Sequence, residues 1–377
     1  MIDLGSLAPL QVSTRLGRLR AVLADAELDA LLVTSLTNVR YLTGFAGSAG
    51  QLLVTADDVV LITDGRYGDQ AGEEIARARA DARVIVGRSV AVQREQLADL
   101  VRALPSIGLE ASNVSWSDQR ALTALLRPTL VPTTGLVEGL RAVKDGGEVA
   151  RIEAACDVAS DALGIVFSLT DGEPTEEEFA WALEAEMRRL GASGPSFGTI
   201  VGTGANGALP HHRADHTRMT AGDLLVLDFG CVVDGYASDM TRTALVGGGE
   251  AASWQRELIE VATAAQAAGV AAVRPGLTGA EVDAVCRASI NDAGLGDLFT
   301  HGTGHGVGLQ IHEAPWVLAT ATEVLQPGNV ITVEPGVYRV GLGGVRVEDT
   351  VLVTADGCRP LTKTPKDLAC LRSPRTT

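Results

Sequence analysis

Cysteine is scarce here, and the five that occur, Cys156, Cys231, Cys286, Cys358 and Cys370, are scattered and odd in number. They form no CxxC pair, so neither a disulfide framework nor a thiolate zinc site is expected. Reduced thiols in a cytoplasmic protein are the reading they support. Positive charge is also in deficit: 31 basic residues face 47 acidic ones, a net charge of −16. That argues against nucleic acid or an anionic membrane as the main partner. No apolar run approaches the roughly 18 residues of a membrane-spanning helix. The N-terminal MIDLGSLAPLQVS lacks a basic stretch followed by an apolar one, so no signal peptide is expected. Low-complexity segments are missing as well. What remains is a folded globular chain of 377 residues, 46% of them hydrophobic. That is too long for one small core, and two domains are expected.

The chain is organised around Leu224 to Thr243, LLVLDFGCVVDGYASDMTRT. An apolar strand ends in Asp228-Phe229-Gly230. A short apolar return reaches Asp234-Gly235, a hairpin turn signal. The strand that follows carries Asp239. Strands disfavour Asp, so two carboxylates on facing core strands need a reason, and lone pairs aimed at a metal would be one.

On either side the periodicity divides the chain in two. Residues 14–26, 66–79, 91–104 and 118–126 read as helices. Strands are expected at 30–33, 51–54, 59–63, 83–86 and 107–110, and 38–45 reads as a turn-rich loop. Strand and helix alternate, so residues 1–135 are an α/β domain. A Pro- and Thr-rich passage from Arg127 to Gly135 marks the boundary. Residues 136–377 then read as an α+β domain. Its helices fall at 148–168, 175–190, 253–273 and 278–293. Its antiparallel strands include 196–201, 330–333, 345–347 and 350–353, with a glycine-rich strand pair at 301–312.

Five side chains recur at apolar strand ends: Asp228, Asp239, His305, Glu334 and Glu348. Taken singly, each acid has an ordinary place in a turn or salt bridge. Jointly, core packing alone would rarely produce them. Four carboxylates and one imidazole fit two divalent ions held about 3.5–4 Å apart. An oxygen-rich set with one nitrogen suits Mn²⁺, with Co²⁺, Fe²⁺ or Zn²⁺ as alternatives. The run Gly302–Gly308 is not a phosphate loop, for it lacks the Lys and the strand–turn–helix context.

In LDFG…SDMTRT, HGTGHGVGLQIHE, ITVEPGVY and GGVRVEDT the sequence resembles the metal-dependent pita-bread peptidases, the group of methionine aminopeptidase, aminopeptidase P and prolidase. The resemblance runs over nearly the whole chain. It implies a curved antiparallel sheet with the metals in its middle. Asp239 and Glu348 would bridge both ions, Asp228 would complete one, and His305 and Glu334 the other. It also assigns His211 to the rim of the site, His312 to the substrate carbonyl and His301 to a third histidine of the proline-directed branch. His212 and His216 have no counterpart and read as a solvated loop. NVRYLTGFAGS, LITDGRY and SFGTIVGTGANGALPHH point to the aminopeptidase P and prolidase branch, with its creatinase-like N-terminal domain. The expected activity is hydrolysis of Xaa-Pro bonds in short peptides by a homodimer, as a dipeptidase or an aminopeptidase. A hydroxide shared by the ions would attack the peptide carbonyl. His312 would donate to the oxyanion and Glu334 would carry the proton to the leaving nitrogen. Arg346 would orient acidic ligands. Where some prolidases carry an arginine after the HE, this chain has Trp316, so Arg213, Arg339 or a histidine would have to meet a product-side carboxylate. Two alternatives stand beside this reading: a metallo-aminopeptidase of the same fold without proline specificity, and a metal-binding relative without catalysis.

Overall fold

The structure, a computed structural model, describes residues 2–367. Cys370 lies outside them. Two compact units emerge, one of Leu10–Arg141 and one of the N-terminal residues up to Pro9 together with 142 onward.

The first unit is α/β, as the alternation predicts. In order come α1 (Val12–Asp25), β1 (Ala30–Val33), α2 (Leu36–Thr43), β2 (Gln51–Thr55), β3 (Val59–Thr63), α3 (Gly68–Ala78) and β4 (Arg83–Val86). Then follow α4 (Val90–Val101), β5 (Ser106–Glu110), α5 (Trp116–Leu125), β6 (Thr129–Thr133) and α6 (Leu136–Ala142). One sheet runs β4-β3-β2-β1-β5-β6. Only β2 is reversed: it pairs antiparallel with β1 and β3, while the other neighbours are parallel. Leu32, Leu53, Ile62, Leu97 and Ile107 close the core between sheet and helices.

Helix α2 replaces the loop expected at 38–45. Its cap residue Ser35 makes no side-chain cap bond. Glu110, buried at the end of β5, supplies the acceptor instead. It takes the amides of Thr34 at 2.5 Å and Ser35 at 2.7 Å, and the Asn38 side-chain amide at 2.6 Å. A carboxylate at a helix N-terminus also meets the positive end of the dipole. Gly44 ends the helix at φ +80°, where a side chain would be strained. The sequence places the domain boundary at 135, but α6 is held by the first unit. Tyr41 donates its hydroxyl to Leu140 O at 3.1 Å, and Arg141 donates to Asn38 at 2.8 Å.

The second unit is α+β. It contains α7 (Gly146–Val166), α8 (Glu176–Leu190), β7 (Gly194–Pro195), β8 (Ile200–Thr203), β9 (Leu224–Phe229), β10 (Cys231–Val233), β11 (Tyr236–Ala237) and β12 (Met240–Leu245). Then come α9 (Ser253–Ala272), α10 (Gly279–Asp292), β13 (Gly304–Gly306), β14 (Glu313–Val317), β15 (Val330–Val333), β16 (Gly336–Arg339), β17 (Gly343–Arg346), β18 (Asp349–Val353) and β19 (Cys358–Pro360). Capping boxes start α7 (Asp145 with Glu148), α8 (Thr175 with Glu178) and α10 (Thr278 with Glu281). All the sheet pairings are antiparallel, in the orders β12-β9-β8, β14-β13-β15-β18-β19, β11-β10-β7 and β16-β17. Helices α7 and α8 cover one part of this framework through Leu163, Phe179 and Leu183 against Leu227 and Phe229. Helices α9 and α10 cover others, with Leu258 near Val345 and Cys286 near Val333. The expected hairpin at Asp234-Gly235 is present as β10–β11, with φ of +46° and +84° at the two turn residues. The glycine-rich pair at 301–312 is shorter than expected, for only Gly304–Gly306 is strand before β14 begins at Glu313.

Candidate metal centre

Strand β9 is buried along its whole length. It delivers Asp228 opposite Thr241 of β12. The chain then turns back through β10 and β11, and Asp239 stands immediately before β12 rather than inside it. Gly230 permits this return. A Cβ there would lie 1.9 Å from Ser238 O, so no other residue allows the two segments so close.

The second sheet brings the remaining three groups. His305 is on β13, Glu334 directly follows β15, and Glu348 directly precedes β18. Gly304 fits β13 against β15, where a Cβ would lie 2.1 Å from Thr332 O. Backbone bonds fix each position: Glu334 N donates to Thr303 O at 2.8 Å, and Glu348 N to Thr241 O at 3.1 Å. Asp228, Asp239 and Glu348 each present an oxygen within 4.8 Å of the others. His305 Nε2 lies 3.5 Å from Asp239 and 3.4 Å from Glu334. All five expected side chains therefore meet in one place.

Their chemistry fits divalent cations. Asp228 Oδ1 and Glu348 Oε1 are buried and accept no hydrogen bond. Such oxygens are costly to leave unmatched, and a cation would match them. Burial, then the neighbouring carboxylates, pushes Asp239 well above the usual carboxylate range, and Glu348 follows for the same reasons. Burial raises Asp228 too, against the pull of Arg346. Glu334 goes the other way. Burial opposes its charge, but the His305 hydrogen bond and the positive neighbours His305 and Arg346 hold it down at about 2. His305 donates Nδ1–H to Gly306 O at 3.0 Å. That bond leaves Nε2 facing the carboxylates, the orientation of a metal-binding imidazole.

Arg346, 3% exposed, braces the acids. It donates to Asp228 Oδ2 at 2.5 Å, Thr241 Oγ1 at 3.0 Å, the Tyr338 hydroxyl at 2.9 Å and Pro210 O at 3.3 Å. The Tyr338 hydroxyl lies 2.8 Å from His301 Nε2, and His301 Nδ1 donates to Gly302 O at 2.7 Å. Burial lowers the His301 pKa. The neutral ring therefore accepts from Tyr338, which accepts from Arg346. Tyr338 and Thr241 escape sequence reasoning as site residues. Both stand inside the quoted motifs, and Thr241 directly faces Asp228, so strand alternation is the signal that points to them.

A cavity of about 690 Å³ opens on this cluster, lined by His211, His301, His312 and Trp316 among others. The His312 ring is 4.3 Å from that of His305, and the Trp316 ring 6.5 Å. Burial, then the positive neighbour His305, lowers His312. Arg213 lines the cavity. Arg339 does not; it pairs with Glu257 at 2.7 Å. His216 is solvated as expected, with its side chain 91% exposed. His212 is not. Its side chain is 9% exposed and its Nε2 lies 2.6 Å from the fully buried Glu176.

Residues 150–355 match the profile of metallopeptidase family M24, and residues 15–143 that of the creatinase/prolidase N-terminal domain. The uncharacterized peptidase YqhT of Bacillus subtilis is 38% identical over 95% of this chain and 100% of its own length. The Xaa-Pro dipeptidase from Bacillus anthracis superposes with a TM-score of 0.90 at 36% identity, covering 94% of this chain and 99% of that one. The X-Pro aminopeptidase from Thermotoga maritima superposes at 0.85 with 32% identity, over 93% and 98%.

Proposed function

The chain belongs to metallopeptidase family M24 and carries a creatinase/prolidase N-terminal domain, and from that premise we propose that it cleaves Xaa-Pro bonds in short peptides. The observation that carries the proposal is the buried meeting of four carboxylates and one imidazole, two of whose oxygens have no partner. Asp228, Asp239, His305, Glu334 and Glu348 would hold two divalent ions. The oxygen-rich set favours Mn²⁺. When bound, such ions supply Lewis acidity and lower the pKa of water.

The chain's own groups do the rest. Glu334 is ionised at working pH and accepts the proton of the attacking water, then returns it to the leaving nitrogen. His312, kept neutral, donates to the developing oxyanion. His211 and His301 flank the substrate, and Trp316 offers a flat wall to the proline ring. Arg346 fixes the Asp228 carboxylate. Two further readings come with the proposal: a homodimer, which light scattering tests, and a cytoplasmic location, which the unpaired Cys156, Cys231, Cys286 and Cys358 support.

The test is hydrolysis, with Mn²⁺, of an Xaa-Pro dipeptide beside an Xaa-Pro-Yaa tripeptide. Arg346 is committed to Asp228. Among the described residues Arg213 is thus the cavity-lining arginine without an acidic partner. A dipeptide places its carboxylate next to the scissile bond, so its cleavage should depend on that cation. Arg213→Met is expected to raise KM for the dipeptide about tenfold, the ~1.4 kcal/mol of one charged hydrogen bond, and to spare the tripeptide. Cleavage of neither peptide by the metal-loaded protein would overturn the proline reading.

A further inference from the structure

His211 is exposed at the cavity, on a loop with no regular structure. Its usefulness depends on what holds that loop. The residue before it, Pro210, has a fixed φ and gives its carbonyl to Arg346. The residue after it, His212, also borders the cavity, but its Nε2 is taken up by Glu176. That carboxylate stands in the first turn of α8, where the helix dipole favours it. It is fully buried, yet it lies far from the metal ligands in sequence and serves none of them. It accepts from Thr203 N at 2.7 Å, Asn206 Nδ2 at 3.1 Å, His212 Nε2 at 2.6 Å and Asp215 N at 3.3 Å. Backbone bonds from Glu176 N to Thr217 O and from Glu177 N to Asp215 O fasten the same loop to the same turn.

Glu176, His212 and Asp215 also have the makings of a cation site. The geometry favours an anchor. Both Glu176 oxygens are already filled by N–H donors, and the imidazole is in direct contact with the carboxylate. Neither Glu176 oxygen is left unmatched, in contrast to Asp228 Oδ1 and Glu348 Oε1.

We propose that the Glu176–His212 pair positions His211 for catalysis. The proposal rests on the peptidase reading above. In this role His212 acts through its neighbour, with its Nε2 committed to Glu176. With Pro210 clamped by Arg346 and His212 by Glu176, the His211 backbone is pinned on both sides, and the entropy of ordering it is met on folding. The side-chain amide of a glutamine at 212 can still donate to Glu176, whereas alanine cannot.

The experiment compares His212→Ala, His212→Gln, His211→Ala and the double variant His211→Ala/His212→Ala with the wild type. His212→Ala should keep its cation stoichiometry and lose on the order of tenfold in kcat with little change in KM, less than the ~10²-fold of a 1 Å misplacement. His212→Gln should restore most of that loss. In the His211→Ala background, His212→Ala should cost nothing more. Wild-type kcat in His212→Ala, or losses that simply add, would overturn the proposal. If the wild type cleaves neither peptide, the peptidase reading fails on its own. The anchor is then read by hydrogen exchange: the amides of residues 212 and 215 should exchange at least several-fold faster in His212→Ala, and unchanged protection would sink it.

Discussion

Asp239 is buried among three other acids, and its carboxylate has the strongest reasons not to be alone. Replacing it with asparagine removes the charge and keeps the shape. Asp239→Asn is expected to fold, to bind neither cation tightly and to lose hydrolysis. Metal analysis beside circular dichroism checks this; two retained Mn²⁺ with full turnover would remove Asp239 from the proposed ligand set. At the same scale, the thiols behave as core groups. Burial pushes Cys231 and Cys286 up to about 12 and raises Cys156 well above the usual thiol range. At pH 8 these three are thiols rather than thiolates, and iodoacetamide should leave them unmodified until the chain is unfolded.

Helix α2 shows how an element can depend on a residue far away in sequence. Glu110→Ala would strip acceptors from the amides of Thr34 and Ser35 and from Asn38. A loss of about 3 kcal/mol is expected from leaving such donors unmatched, read as a lower urea midpoint. Cation binding by the second unit should not change. The same dependence explains what the sequence conceals. Period and capping signals are local, and they place α7, α8 and α10 and the hairpin at Asp234-Gly235 where the structure has them. Five metal-site candidates are visible because each lies in or directly beside a strand, where such side chains are uncommon. The segment 38–45 looks like a loop because Asn38, Thr43 and Gly44 are poor helix formers, and its cap lies on β5. His212 looks solvated for the same reason. Its partner Glu176 is on another element, and nothing in the local pattern announces a buried pair. Tyr338 and Thr241 likewise acquire their roles only when strands are laid side by side.

For the molecule as a whole, cations and protons compete for the same oxygens. Without metal, burial keeps Asp239 and Glu348 protonated above the usual carboxylate range. Their contribution to stability is complete below that range and is lost as pH rises through their raised values. With metal the sign reverses, since the ions require both groups ionised. Mn²⁺ at 100 times its Kd should add about 2.7 kcal/mol near neutral pH and progressively less in acid. Thermal melts at pH 5 and 7.5, with and without Mn²⁺, check this; a pH-independent gain would contradict it. The five groups also come from two different sheets, β12-β9-β8 and β14-β13-β15-β18-β19, and are spread from residue 228 to residue 348. No short stretch of the chain holds enough of them to chelate an ion. During synthesis the emerging polypeptide is therefore a poor scavenger, and the choice among competing metals is made by a finished cage. Such a protein should be loadable after folding, and strippable by a chelator with its architecture intact.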